Sequence, residues 1–137
     1  MTYARLVQLA GKARTKSHSP YSKFRVGAAL LTAGGKVFTG CNIESSSFGL
    51  TICAERTALF KAVSEGYTRF KALAVVTDEP SFIAPCGACR QVILDLAGTI
   101  DVILSNGHGG MIIFKAGELM PHPFGPSDLL QRKRVKR

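Results

Sequence analysis

Apolar residues recur at helical spacing near the start of the chain, at Ala4, Leu6, Val7, Leu9, Ala10 and Ala13, with basic residues at the polar positions. The pattern predicts an amphipathic helix that stops before Pro20, because a proline pushes the residue ahead of it out of the helical region. Phe24 to Leu31 then reads as a buried strand, Gly34-Gly35 as a tight turn and Lys36 to Asn42 as the hairpin partner. Glu44 to Leu50 is a Ser- and Gly-rich loop. Thr51 is placed to cap a second helix that carries Ala54, Ala58, Leu59, Ala62 and Val63 and ends near Gly66. Leu73 to Thr77 is a short apolar run of the kind buried on both faces. A loop from Asp78 to Pro85 leads to a helix over Gly87 to Leu96. Two strands follow, Ile100 to Leu104 and Met111 to Phe114, joined by a Gly-rich turn. The order α-β-β-α-β-α-β-β predicts an α/β fold of three layers, α/β/α, in which helices cover both faces of a five-stranded mixed sheet. The crossover through residues 53–66 is expected to be right-handed.

At 137 residues the chain has the length of one domain. No apolar stretch approaches the ~18 residues that span a bilayer. The segment after Met1 lacks the apolar core of a secretory signal. These features point to a soluble, cytoplasmic protein. The net charge of +9 invites a nucleic-acid reading, but Arg132, Lys133, Arg134, Lys136 and Arg137 crowd the last six positions. Residues 1–131 therefore read as the single domain and 132–137 as a basic, disordered tail. No aromatic side chain is interleaved there to stack on bases.

The chemistry is concentrated in Cys53-Ala54-Glu55-Arg56 and Pro85-Cys86-Gly87-Ala88-Cys89-Arg90. Three thiolates, from Cys53, Cys86 and Cys89, can fill three tetrahedral positions around a zinc ion and leave the fourth for water. Glu55 then lies beside that water as acid and base. The zinc nucleobase deaminases carry this kind of pattern. Both motifs fall at predicted helix starts, where free N–H groups and the helix dipole favour thiolates. Arg56 and Arg90 adjoin the motifs and can offset thiolate charge by hydrogen bonding to sulfur. Two inert or different readings stand beside this one. Cys41 would close a structural four-cysteine site, or Cys86 and Cys89 would form a redox pair. His18, His108 and His122 lie in predicted loops and are read as surface residues.

The chain resembles the small, homotetrameric cytidine deaminases. The resemblance runs from Ser19-Pro20-Tyr21-Ser22-Lys23-Phe24 through Val26-Gly27-Ala28-Ala29-Leu30, Gly40-Cys41-Asn42-Ile43-Glu44 and the two cysteine motifs to Phe124. It implies the cytidine deaminase-like fold, one zinc ion per subunit on Cys53, Cys86 and Cys89, and proton transfer by Glu55. It also implies that Asn42 and Glu44 hold the ribose hydroxyls and that Phe24 packs on the pyrimidine. The Ala54 N–H would face the base carbonyl and the Ala84 carbonyl the leaving amine. Phe124 would reach a neighbouring subunit's site. The implied reaction is hydrolytic deamination of free cytidine and deoxycytidine by zinc-activated hydroxide, in pyrimidine salvage. The alternatives are a deaminase for another cytosine-bearing small molecule, such as a nucleoside antibiotic, and a zinc-stabilised RNA-binding or RNA/DNA-editing protein.

Overall fold

The structure, a computed structural model, describes residues 1–132; the remainder of the basic tail expected over 132–137 lies outside the described residues. The chain runs α1 (Tyr3–Arg14), β1 (Val26–Thr32), β2 (Val37–Cys41), α2 (Ala54–Ser64), β3 (Phe70–Thr77), α3 (Gly87–Ala97), β4 (Asp101–Ser105), β5 (Met111–Lys115) and α4 (Pro126–Arg132). One sheet has the order β2-β1-β3-β4-β5. β3 and β4 are parallel and the other neighbouring pairs antiparallel, so the sheet is mixed as expected.

Alternation along the central strands divides the core in two. Ala29, Leu31, Ala72, Ala74, Val76 and Ile103 face α1 and pack on its Leu6 and Ala10. Ala28, Leu30, Leu73, Val75, Val102 and Leu104 face the opposite way, against Ala58, Leu59 and Ala62 of α2 and Ile93 of α3. Helices therefore lie on both faces. Because α2 and α3 share a face and each links two parallel strands in the same direction along the sheet, the two crossovers have the same hand.

Several element ends differ from the sequence expectation. Phe24 precedes β1, because its carbonyl accepts from Asn42 Nδ2 at 2.7 Å. β3 begins three residues early, where Phe70 pairs with Thr32 across a register shift. Thr51 does not cap α2: Cys53 is the N-cap, and the Thr51 hydroxyl accepts the Ser45 N–H at 3.1 Å. A bridge between Ile43 and Ile52 and a short 3₁₀ turn over Phe48–Leu50 hold this approach extended. The structure adds a helix over Pro126–Arg132 that the sequence pattern does not predict.

Candidate active site

Two helix N-termini converge beside the β3 end that carries Val75 and Thr77. Cys53 is the N-cap of α2 and Cys86 the N-cap of α3, with Cys86 Sγ accepting the Cys89 N–H at 3.5 Å. At each terminus the first backbone N–H groups lack helical partners, so a thiolate is favoured there. Cys53, Cys86 and Cys89 offer sulfurs that all lie within 4.8 Å of one another, and they are the single such group of metal-capable side chains among the described residues. The Cys53–Cys86 separation is 3.8 Å. Zinc–sulfur bonds of ~2.3 Å in a tetrahedron place sulfurs about 3.8 Å apart, so the spacing fits zinc. Cys41 is not in the group. Its Sγ donates to the Lys16 carbonyl at 3.4 Å, which sets aside the closed four-cysteine site.

Glu55 lies in the first turn of α2 and is only 5% exposed. Burial pushes its carboxyl up to about 7, with the Cys53 charge adding to the effect. Cys53 moves the other way, down to about 5, through a hydrogen bond from Cys89 and the proximity of Arg56; the same bond and burial push Cys89 up. Arg56 Nη2 donates to Cys53 Sγ at 3.4 Å, while its Nε is buried without a partner. Arg90 is placed differently. Its Nε donates to the Pro85 carbonyl and its Nη1 to the Leu119 carbonyl, both at 2.8 Å, so it braces the cysteine loop instead of a sulfur.

A cavity of about 220 Å³ opens in front of this group. Phe24, Asn42, Cys53, Ala54, Glu55, Ala84 and Cys86 line it, together with Val26, Thr51, Val75, Thr77 and Ile83, which the sequence does not mark as site residues. Glu44 lines an adjoining hollow of about 410 Å³ with Tyr21, Ser22 and Phe48, and Thr51 borders both spaces. The Ser22 hydroxyl holds the Glu44 carboxyl below the usual carboxylate range. Phe124 stands apart, 57% exposed, with its carbonyl accepting from Gln91 Nε2 at 2.8 Å.

A three-sulfur metal site with a buried carboxyl beside it, set at helix starts on a mixed α/β sheet, defines a zinc-dependent hydrolytic enzyme. The model for the cytidine and deoxycytidylate deaminase zinc-binding region matches residues 1–105. Cytidine deaminase of Sporosarcina psychrophila is 48% identical over 94% of this chain and 96% of its own length. A probable cytidine deaminase of Dictyostelium discoideum is 46% identical over 92% of this chain and 86% of its own. The crystal structure of cytidine deaminase from Burkholderia pseudomallei superposes with a TM-score of 0.88 at 51% identity, covering 90% of this chain and all of that one. The chain belongs to the cytidine and deoxycytidylate deaminase family, and zinc is its cofactor.

Proposed function

We propose that this chain hydrolyses the 4-amino group of cytidine and deoxycytidine, giving uridine or deoxyuridine and ammonia, and serves pyrimidine salvage. The observation that carries the reading is Glu55, a buried carboxyl held near neutrality beside three clustered sulfurs and facing a cavity of about 220 Å³. Cys53, Cys86 and Cys89 would hold the zinc, which when bound would supply Lewis-acid activation of water at neutral pH. Glu55 moves the protons. It takes one from the attacking water and passes it to ring N3, so that C4 accepts the new C–O bond; it then takes the proton of the C4 hydroxyl and gives it to the amine as the C4–N bond breaks, leaving the C4 carbonyl and ammonia. A carboxyl that titrates near 7 can both take and give a proton at neutral pH.

The remaining groups bind and orient. Phe24 packs on the pyrimidine from the cavity wall. The Ala54 N–H, first in α2 and so without a helical acceptor, points to the base carbonyl. The Ala84 carbonyl receives the departing amine. Asn42 and Glu44 take the sugar, which extends from the inner cavity toward the adjoining hollow. Arg56 offsets part of the thiolate charge through Cys53.

Assembly as a homotetramer is part of the proposal. Tyr21 and Phe48 are exposed apolar groups in the sugar hollow, Ile43 and Leu50 border the next hollow that Glu44 also lines, and the exposed Phe124 is the group that would enter a neighbour's site. A cytoplasmic location is supported by the need of three metal-binding cysteines for a reducing compartment. Among the described residues no helix is long and apolar enough to cross a membrane. The deciding experiment follows the ultraviolet absorbance of cytidine and deoxycytidine with purified protein, before and after chelation, beside a zinc assay. Turnover that vanishes with the metal and returns with zinc is expected; zinc-loaded protein that turns over neither nucleoside overturns the reading.

A further inference from the structure

Asn42, lining the inner cavity, and Glu44, lining the adjoining hollow, are each held by hydrogen bonds that leave one defined polarity toward a ligand. Asn42 is buried at the end of β2. Its Oδ1 accepts the Val26 N–H at 3.0 Å and also the Ser17 hydroxyl, which lies closer to it than to the Ser19 hydroxyl or the Asn42 carbonyl. Its Nδ2 donates one hydrogen to the Phe24 carbonyl at 2.7 Å. The acceptor atom is saturated and one N–H remains, so Asn42 faces a ligand as a donor.

Glu44 is the complement. Its Oε1 accepts two backbone N–H groups, from Tyr21 at 3.0 Å and Ser22 at 3.1 Å. Its Oε2 accepts the Ser22 hydroxyl. That hydroxyl in turn accepts the Phe24 N–H at 3.0 Å, which leaves its own proton directed to Glu44. Glu44 thus keeps one acceptor position on Oε2 and no donor. The turn that carries Ser22 passes through Lys23 at φ 61, in the left-handed region. The Ser17 segment is tied to the same place by the His18 N–H to the Asn42 carbonyl at 3.0 Å and the Glu44 N–H to the His18 carbonyl at 2.8 Å.

We propose that Ser22, seconded by Ser17, is a positioning residue: Ser22 fixes which acceptor position of the Glu44 carboxylate stays free, Ser17 helps hold Asn42 with its spare N–H outward, and together they set the demand for a sugar hydroxyl that donates to one and accepts from the other. The inference rests on the reading that Asn42 and Glu44 hold the sugar. The hydroxyl concerned is the ring hydroxyl common to cytidine and deoxycytidine, at the 3′ position. An ether, a fluorine or a hydrogen there satisfies at most one of the two partners.

The test is the ratio of kcat/KM for cytidine to that for 3′-deoxycytidine, measured within each variant so that the fraction of active protein cancels. Ser22→Ala is expected to lower this ratio about 10-fold, the scale of one hydrogen bond to a charged group. Ser17→Ala lowers it less, because Val26 and Phe24 still orient the Asn42 amide, and Ser22→Thr, which retains the hydroxyl, preserves it. Glu44→Gln and Asn42→Ala are run alongside. If they collapse the ratio while both serine-to-alanine variants keep the native value, the positioning role is overturned and the sugar assignment stands. If Glu44→Gln and Asn42→Ala also keep the native ratio, the sugar assignment itself fails and the inference with it.

Discussion

A methyl group at Gly40 would lie 2.7 Å from the carbonyl oxygen of Ala54. It would also lie 2.6 Å from the Ala58 backbone nitrogen. Strand β2 is therefore pressed against the backbone of the first turns of α2, the helix that carries Cys53 and Glu55 to the site. Neither contact can be relieved by turning a side chain. Gly40→Ala is expected to destabilise the fold by at least ~1–3 kcal/mol, the usual range for overpacking, and to weaken zinc binding because the cysteine-bearing end of α2 moves. Gly11 provides the contrast, since nothing lies within 4 Å of the same added methyl. In the middle of α1, Gly11→Ala should stabilise by about 0.5–1 kcal/mol through backbone entropy. Denaturant midpoints of the two variants should move in opposite directions; a shared direction would contradict the packing argument.

Glu55 has no other carboxylate beside it in the cavity lining to take over its protons. Glu55→Ala is expected to retain zinc, since the sulfurs are untouched, and to lose roughly 10²–10⁴-fold in kcat. Zinc content and single-turnover rates measured on the same preparation check this. A variant with full metal and near-native turnover would remove Glu55 from the mechanism.

Arg56 reaches Cys53 Sγ at 3.4 Å and helps hold that thiol down to about 5. Arg56→Gln keeps a hydrogen-bond donor but not the positive charge. The loss of a hydrogen-bonded partner behind a metal ligand typically costs ~10–100-fold in metal affinity. Competition with a chromophoric chelator should show that loss. Arg90→Gln should act through stability instead, because Arg90 binds the carbonyls of Pro85 and Leu119.

The order of elements and the layer arrangement were legible because β1, β3 and β4 carry near-continuous apolar runs, as strands covered on both faces must. The sulfurs and Glu55 were legible because each pair of neighbours in sequence shares one helical turn, Cys53 with Glu55 and Cys86 with Cys89. What stayed hidden depends on contacts between distant segments. Phe24 has the composition of a strand residue, but the Asn42 side chain takes its carbonyl out of the ladder. Ser17 and Ser22 look like turn residues until the fold brings them to Asn42 and Glu44, 25 and 22 positions away. The helix from Pro126 to Arg132 carried a readable signal, proline at its first position and Asp128 in its first turn, yet Leu129 and Leu130 alone do not display an apolar period.

Tyr3 fastens α1 to the far side of the sheet from these sites, and its bond carries a pH signature. Its hydroxyl donates to Asp101 Oδ2 at 2.5 Å, and Lys115 Nζ pairs with Oδ1 of the same carboxylate at 2.6 Å. The hydrogen bond to Asp101, then burial, raise Tyr3 to about 12. Lys115 first, and Tyr3 second, hold Asp101 below its ordinary value. For Tyr3 the folded state binds its proton more tightly than the unfolded chain, where the phenol titrates near ~10. The stabilisation is thus complete below pH ~10 and fades as the pH rises toward 12. For Asp101 the sign is reversed, and its contribution is present above the unfolded carboxylate value of ~3.9 and lost as the pH falls below it. Tyr3→Phe removes the bond while keeping the ring. The difference in unfolding free energy between the parent and Tyr3→Phe should therefore be level from about pH 5 to 9 and shrink above pH 10. A difference that persists undiminished at pH 12 would show that it does not come from the Tyr3–Asp101 hydrogen bond.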